Sequence, residues 1–164
     1  AHFNPAVTFA FALTGHFPKK DVLPFIISQL LGSLAACMSL FFIFEQPSSY
    51  GASVPSGSVL QSFVLEILIT ASLMFVIIAV ATDKTAPGPI ASILIGATVT
   101  LNALWAGPIS GASMNPARSF GPALFQGEWT SHWIYWAAPI IGAALGAVLY
   151  EAIRLDRNRS GNTL

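Results

Sequence analysis

Apolar residues run through this chain in blocks too long for a soluble domain. Val22–Phe44 holds 23 consecutive residues without a charge, Thr85–Ala117 holds 33, and Trp129–Tyr150 holds 22. Between Gln46 and Thr82 the single charge is Glu66. Crossing the hydrocarbon core of a bilayer takes about 20 apolar helical residues, so the pattern predicts four spans, over 22–44, 59–81, 89–106 and 132–154. The third is interrupted early by Pro89. Two other apolar segments are too short to cross: Asn4–Gly15 has 12 residues and Asn115–Gly127 has 13. A helix of that length rises roughly 16–20 Å. Each opens with Asn-Pro-Ala and closes at a glycine. Asn is a favoured N-cap, Pro a favoured first helical residue and Gly a common stop. The stretches 1–15 and 115–127 therefore read as re-entrant half-helices, one before the first span and one before the fourth, with 155–164 as a tail.

The half-helices look like copies of one another. Phe3–Leu13 laid over Met114–Leu124 gives six identities in eleven positions, with Thr8 matching Ser119 as a similar pair. Farther on, Gln29–Ser33 in the first span answers Pro139–Ala143 in the fourth. Internal repeats of this kind mark two-fold membrane architectures. Parity sets their hand, because the first copy precedes a span starting on one side and the second a span starting on the other. Their N-termini can then meet near the midplane, where non-helical backbone is tolerated if it is packed in protein or lines a wet cavity. The fold expected is an all-α polytopic membrane protein with an inverted repeat.

Composition agrees, with 54% hydrophobic and 9% charged residues against about 25% charged in a soluble domain. A formal net charge of zero leaves no basic patch for nucleic acid. A single cysteine, Cys37, excludes a disulfide framework and a multi-thiolate metal site. No nucleophile–base pair or metal-ligand spacing suggests an enzyme or a cofactor. Six of the seven basic residues (Lys19, Lys20, Lys84, Arg154, Arg157 and Arg159) fall on one side of the alternating spans, which the positive-inside rule makes cytoplasmic, with the C-terminus. Glu45, Glu128 and the polar link 46–58 fall on the other. Trp129, Trp133, Tyr135 and Trp136 stand where an aromatic belt belongs. Gly32, Gly142 and Gly146 are small enough to let spans approach closely.

The two Asn-Pro-Ala caps carry the chemistry. An N-cap Asn spends its side-chain oxygen on a first-turn N–H, and its amide keeps two donors with no free acceptor. Two such groups face to face, Asn4 and Asn115, would offer paired donors to one oxygen atom, backed by about half a positive charge from each helix N-terminus. A water held there cannot accept from a neighbouring water, so a proton wire is interrupted.

HFNPAVT and GASMNPARSFGPA, at opposite polarity, resemble the aquaporin (major intrinsic protein) family over essentially the whole chain. LNALWAGPISGASMNPARS is most similar to the nodulin-type intrinsic proteins of that family. The resemblance implies six spans and two half-helices, of which the first two spans are absent here; the chain, which opens on Ala1, is expected to be N-terminally incomplete. It also implies that Asn4, Pro5, Ala6, Asn115, Pro116 and Ala117 form the pore centre, and that Arg118, Ala112 and Ala103 belong to an outer constriction whose remaining residue lies upstream. The small residues at 103 and 112 imply a wide filter, whereas Ser119, Ala123 and Tyr135-Trp136 resemble water-channel members. The carbonyls of Gly111, Ala112, Ser113 and Met114 are expected to form an acceptor ladder, Glu66 to bond the backbone of the re-entrant loop, and His2 to line the cytoplasmic mouth. The competing readings are an Arg118 that snorkels to the surface, an Ala103 that only packs, a Glu66 that relays protons and a His2 that is a packing histidine.

The function implied is passive passage of water and small neutral solutes such as glycerol, with protons and ions excluded. The setting implied is a homotetramer spanning the lipid bilayer of the plasma membrane. A strictly water-selective channel is the alternative; a coupled transporter using Glu66 and a non-conducting junction or assembly protein are further ones.

Overall fold

The computed structural model describes residues 2–44, 49–83 and 90–161, with side chains as far as Leu155. Glu45, Gln46, Lys84, Pro89, the side chains of Arg157 and Arg159, and positions 162–164 lie outside the described residues. Among those described, all regular structure is helical: α1 (Pro5–Leu13), α2 (Val22–Ile43), α3 (Val59–Thr82), α4 (Ala91–Ser110), α5 (Pro116–Gln126) and α6 (Ile134–Gly161), with a 3-10 turn over Lys19–Asp21 before α2. Four of them, α2, α3, α4 and α6, are long and apolar enough to cross a membrane. The 22 residues of α2 rise about 33 Å, whereas α1 and α5, with 9 and 11 residues, rise only about half as far.

The short helices start where their caps dictate. Asn4 Oδ1 accepts from Ala6 N at 2.9 Å, and Asn115 Oδ1 accepts from Ala117 N at 3.0 Å and Arg118 N at 3.3 Å. Pro5 and Pro116 occupy the first helical position, where a missing N–H costs nothing. Gly127 ends α5 in the left-handed conformation, while α1 stops at Thr14, one residue before Gly15. Two span limits differ from expectation. The third span runs on to Ser110, because Pro108 removes a single hydrogen bond without breaking the helix, and it stops at Gly111 with φ +83°. The last span begins at Ile134 and continues as helix to Gly161, through much of the stretch expected as a tail.

Each half-helix leans on the last span of the other repeat, α1 on α6 and α5 on α2, while α3 runs along both α4 and α6. The core gathers Ala6, Val7 and Ala10 of α1, Ile69, Met74 and Ile78 of α3, and Ala143 and Ala147 of α6. Cys37 is the one buried residue of α2, so most of that span's surface is uncovered within this chain. A Cβ placed on Gly142 would sit 2.4 Å from Ile67 O, and one on Gly146 would sit 2.2 Å from Ala71 O. Contact between α3 and α6 is thus backbone to backbone over one helical turn, the small-residue packing that membrane helices favour. Gly32 plays no such part, since nothing among the described residues lies within 4 Å of its Cβ position. Gly146→Leu is expected to pry α6 from α3 and to cost about 1–3 kcal/mol or more of stability. A lowered unfolding midpoint in detergent, followed by tryptophan fluorescence, would register it; an unchanged midpoint would refute the close contact.

The membrane ends sort by contact. At one end His16 Nε2 lies 2.7 Å from Glu151 Oε1, Arg154 pairs with Glu151 and reaches Thr82 Oγ1, and Tyr150 donates to Asp83. The link after α1 and the ends of α3 and α6 therefore share one face. At the other end Ser56 N donates to Ile109 O, and Phe63 stacks near Trp133. Trp129 and Trp133 are exposed there, but Tyr135 does not join a belt: it is fully buried and donates to Ser110 O at 2.6 Å.

Candidate pore site

The N-termini of α1 and α5 meet through a reciprocal pair of bonds. Asn4 Nδ2 donates to Met114 O at 2.7 Å, and Asn115 Nδ2 donates to Phe3 O at 3.1 Å. Each asparagine thus holds the carbonyl just ahead of the other, as a two-fold axis between the repeats requires. The expectation of two free donors per amide is corrected by this arrangement. One N–H of each is spent on the opposite backbone, leaving one N–H apiece. Ala6 and Ala117, on the first turns, are buried, which lets the two helix ends approach.

The segment 111–115 that feeds Asn115 is held in an unusual conformation. Gly111, Ala112 and Met114 all have positive φ, and the last two are not glycines. Strain of this kind persists where the surroundings over-determine it, and here Glu66 does so. This fully buried side chain accepts from Ser110 Oγ at 2.8 Å and Ser113 N at 2.8 Å on Oε1, and from Met114 N at 2.9 Å on Oε2. With the N–H groups of Ser113 and Met114 turned toward Glu66 of α3, the carbonyls of the same peptide planes, those of Ala112 and Ser113, turn away from it. Of the four carbonyls expected to form a ladder, that of Met114 already accepts from Asn4, so one of its two lone pairs is taken.

Arg118 lies in the first turn of α5 and is exposed within this chain. Its charge is met by neutral oxygens of the 49–58 link: Nη1 donates to Gly51 O at 2.5 Å and to Ser53 Oγ at 2.6 Å. Its Nε and Nη2 donors have no protein acceptor among the described residues. Ala112 is buried beneath this corner. Ala103 stands on the exposed side of α4 and is not brought to Arg118 by any described contact.

Two open clefts adjoin the asparagine pair and share His2, Phe3, Phe25 and Asn115. One, of about 690 Å3, passes Gln29, Ser33 and Cys37 of α2 on its way to Gly51 and Arg118. The other, of about 900 Å3, passes Leu73 and Ile77 of α3 and Ile95 and Val99 of α4 toward Thr82 and His16. His2 sits at their junction, ringed by Phe11, Phe17 and Phe25. Its Nδ1 lies 2.7 Å from Thr8 Oγ1. Thr8 has one hydroxyl proton and gives it to Asn4 O at 3.0 Å, while accepting from Gln29 Nε2 at 2.8 Å. On that count His2 donates through Nδ1 and keeps Nε2 as an acceptor.

Thr8, Gln29 and Ser53 are polar groups of this site that the motifs do not mark, and Ser119 and Tyr135, expected only as water-channel-like positions, join them. Thr8 had a visible signal, one turn after Asn4 and matched by Ser119 in the second copy. Ser53 had none, because its partners lie 65 and 66 positions away.

An all-helical inverted repeat with two half-helices joined at their capped N-termini defines a polytopic membrane protein of the inverted-repeat class. The chain belongs to the major intrinsic protein family, whose model matches residues 1–150. It is 50% identical over 155 residues to aquaporin NIP1-1 of Zea mays, covering 94% of this chain and 55% of the relative. Nodulin-26 of Glycine max is 49% identical over 154 residues, covering 93% and 57%. The chain thus spans a little over half the length of these relatives. The solved aquaglyceroporin of Plasmodium falciparum shares the fold, with a TM-score of 0.73 at 20% identity over 92% of this chain and 69% of that one. The protein is an integral, multi-pass member of an aquaporin family and not an enzyme.

Proposed function

We propose that this chain forms the greater part of a passive channel for water and small neutral solutes such as glycerol, which excludes protons and ions. The observation that carries this is the reciprocal pairing of Asn4 with Met114 O and Asn115 with Phe3 O. It brings two positive helix ends and two remaining amide N–H groups to one place between the clefts. A water that accepts from both amides has its lone pairs occupied and its own hydrogens directed outward, so it cannot accept a proton from the next water. Cations meet the same positive field, and Arg118 adds a full charge with unspent donors on the outer side. Pore width, lining donors and half-helix dipoles are the established determinants of aquaporin selectivity. The small side chain of Ala112 beside Arg118 supports a filter wide enough for glycerol. We further assign the face bearing Lys19, Lys20 and Arg154 to the cytoplasm, in a homotetramer of the plasma membrane.

Proteoliposomes carrying the full-length chain should swell in a sorbitol gradient through water uptake, and again in an inward glycerol gradient. Water flux without glycerol flux would narrow the function to a strictly water-selective pore. Neither flux above that of protein-free vesicles would overturn it.

A further inference from the structure

Three serine hydroxyls link Arg118 to the cap of its own half-helix, and each carries one proton, so the direction of every bond can be counted. Ser113 Oγ donates to Asn115 O at 2.9 Å. Its proton is therefore spent, and the 2.6 Å contact with Ser119 Oγ must be donated by Ser119. Ser119 is then spent in turn, so Ser53 donates across the 2.8 Å contact to Ser119. Ser53 Oγ, left as an acceptor, receives Arg118 Nη1 at 2.6 Å. The result is a one-way chain from the guanidinium through Ser53, Ser119 and Ser113 to the Asn115 carbonyl. All three serines are buried, and a chain of aligned bonds in a low-dielectric setting polarises each member in the same sense.

Ser53 holds its place independently of Arg118. Ser56 N donates to Ile109 O at 2.9 Å, and the absent side chain of Gly111, with φ +83°, lets Ser53 Cα lie 3.1 Å from where its Cβ would be. The outer link is thereby pressed onto the end of α4 and the re-entrant segment. The first repeat has a counterpart, His2 and Thr8 standing where Ser113 and Ser119 stand, but there the hydroxyl bonds stop at Gln29 and no arginine joins.

From this geometry we infer that Ser53 is a positioning residue for solute selection: through the oriented serine chain it holds the Arg118 guanidinium against the outer link, at the wall of the cleft. The inference rests on the channel function proposed above. With Ser53 in place, two N–H groups of Nη1 are satisfied by protein and the other donors are left for transient contacts with a passing solute. Without it, one more charged donor must find its acceptor among solute oxygens. A polyol offers several at once and is retarded more than water.

Ser53→Ala in the full-length protein, reconstituted in liposomes, should lower the glycerol-to-water permeability ratio by about threefold or more, the size of one net hydrogen bond. Ser53→Thr keeps the hydroxyl and should restore the ratio. Ser119→Ala, which never touches Arg118, should shift the ratio in the same direction, and the double variant should add little to either single one. Ratios equal to wild type in both alanine variants would overturn the inference, as would two fully additive effects. Should Ser53→Ala fail to assemble, Ser119→Ala and Ser53→Thr decide the matter alone. A wild-type protein that passes neither solute fails the channel function itself, a different result from a conducting protein whose selectivity ignores Ser53.

Discussion

Glu66→Gln is expected to lower the unfolding midpoint in detergent and to take water permeability below about a tenth of the wild-type value. The carboxylate satisfies three donors with two oxygens: Ser110 Oγ, Ser113 N and Met114 N. Glutamine keeps one acceptor oxygen but presents an amide N–H where the other stood, so a donor faces a donor. An orphaned buried N–H costs about 1–3 kcal/mol, and at this depth no solvent replaces the lost partner. The segment 111–114 holds its positive-φ residues against that anchor. Its release would reorient the carbonyls beside Asn115 and shift the Met114 carbonyl that Asn4 grips. Stopped-flow light scattering with the variant at matched protein density measures the flux. A Glu66→Gln protein with wild-type midpoint and flux would remove Glu66 from the site.

Asn4→Asp and Asn115→Asp are expected to separate the capping role from the donor role. Asp caps a helix about as well as Asn, so α1 and α5 should persist, with circular dichroism unchanged. The group that replaces Nδ2 is an oxygen, and at position 4 it would face Met114 O across the present 2.7 Å. One inter-repeat bond becomes a repulsion, and the amide donor offered to the permeant oxygen disappears. Water permeability should fall by about tenfold or more, the equivalent of roughly 1.4 kcal/mol or above. A pH-sensitive dye inside the vesicles should report a faster proton leak per water passed. Wild-type flux in both variants would show that the paired amides do not act on the permeant. A loss of helix would show that the caps alone were tested, and Asn4→Ser, which caps without an amide, then supplies the comparison.

Much of the fold was legible because the bilayer imposes a length. Apolar runs of 22 residues or more can only be spans or very buried helices, and so few charges exclude the second. The half-helices were legible through their caps, since Asn-Pro-Ala states where a helix begins and the short apolar stretch after it states that it cannot cross. Span limits were less so. The third span is expected to end at Ala106, but the helix continues through Pro108 to Ser110. Tyr135 looked like a belt residue, but the turn of α6 carries it inward to Ser110. In each case the deciding partner lies far along the chain.

Local chemistry along the sequence thus determined the class of molecule: how many spans, which segments stop halfway, and which two caps are copies in opposite sense. Hydropathy, helix capping and length are properties of neighbouring residues, and they need no knowledge of the rest. What only the tertiary structure decided is where the hydrogen bonds go. Each Asn gives one amide N–H to the other repeat, Arg118 is answered by the neutral oxygens of Gly51 and Ser53, and three scattered serines align between that arginine and Asn115. A serine carries no periodicity and no charge pattern, so its partner appears only when the chain has folded back upon itself.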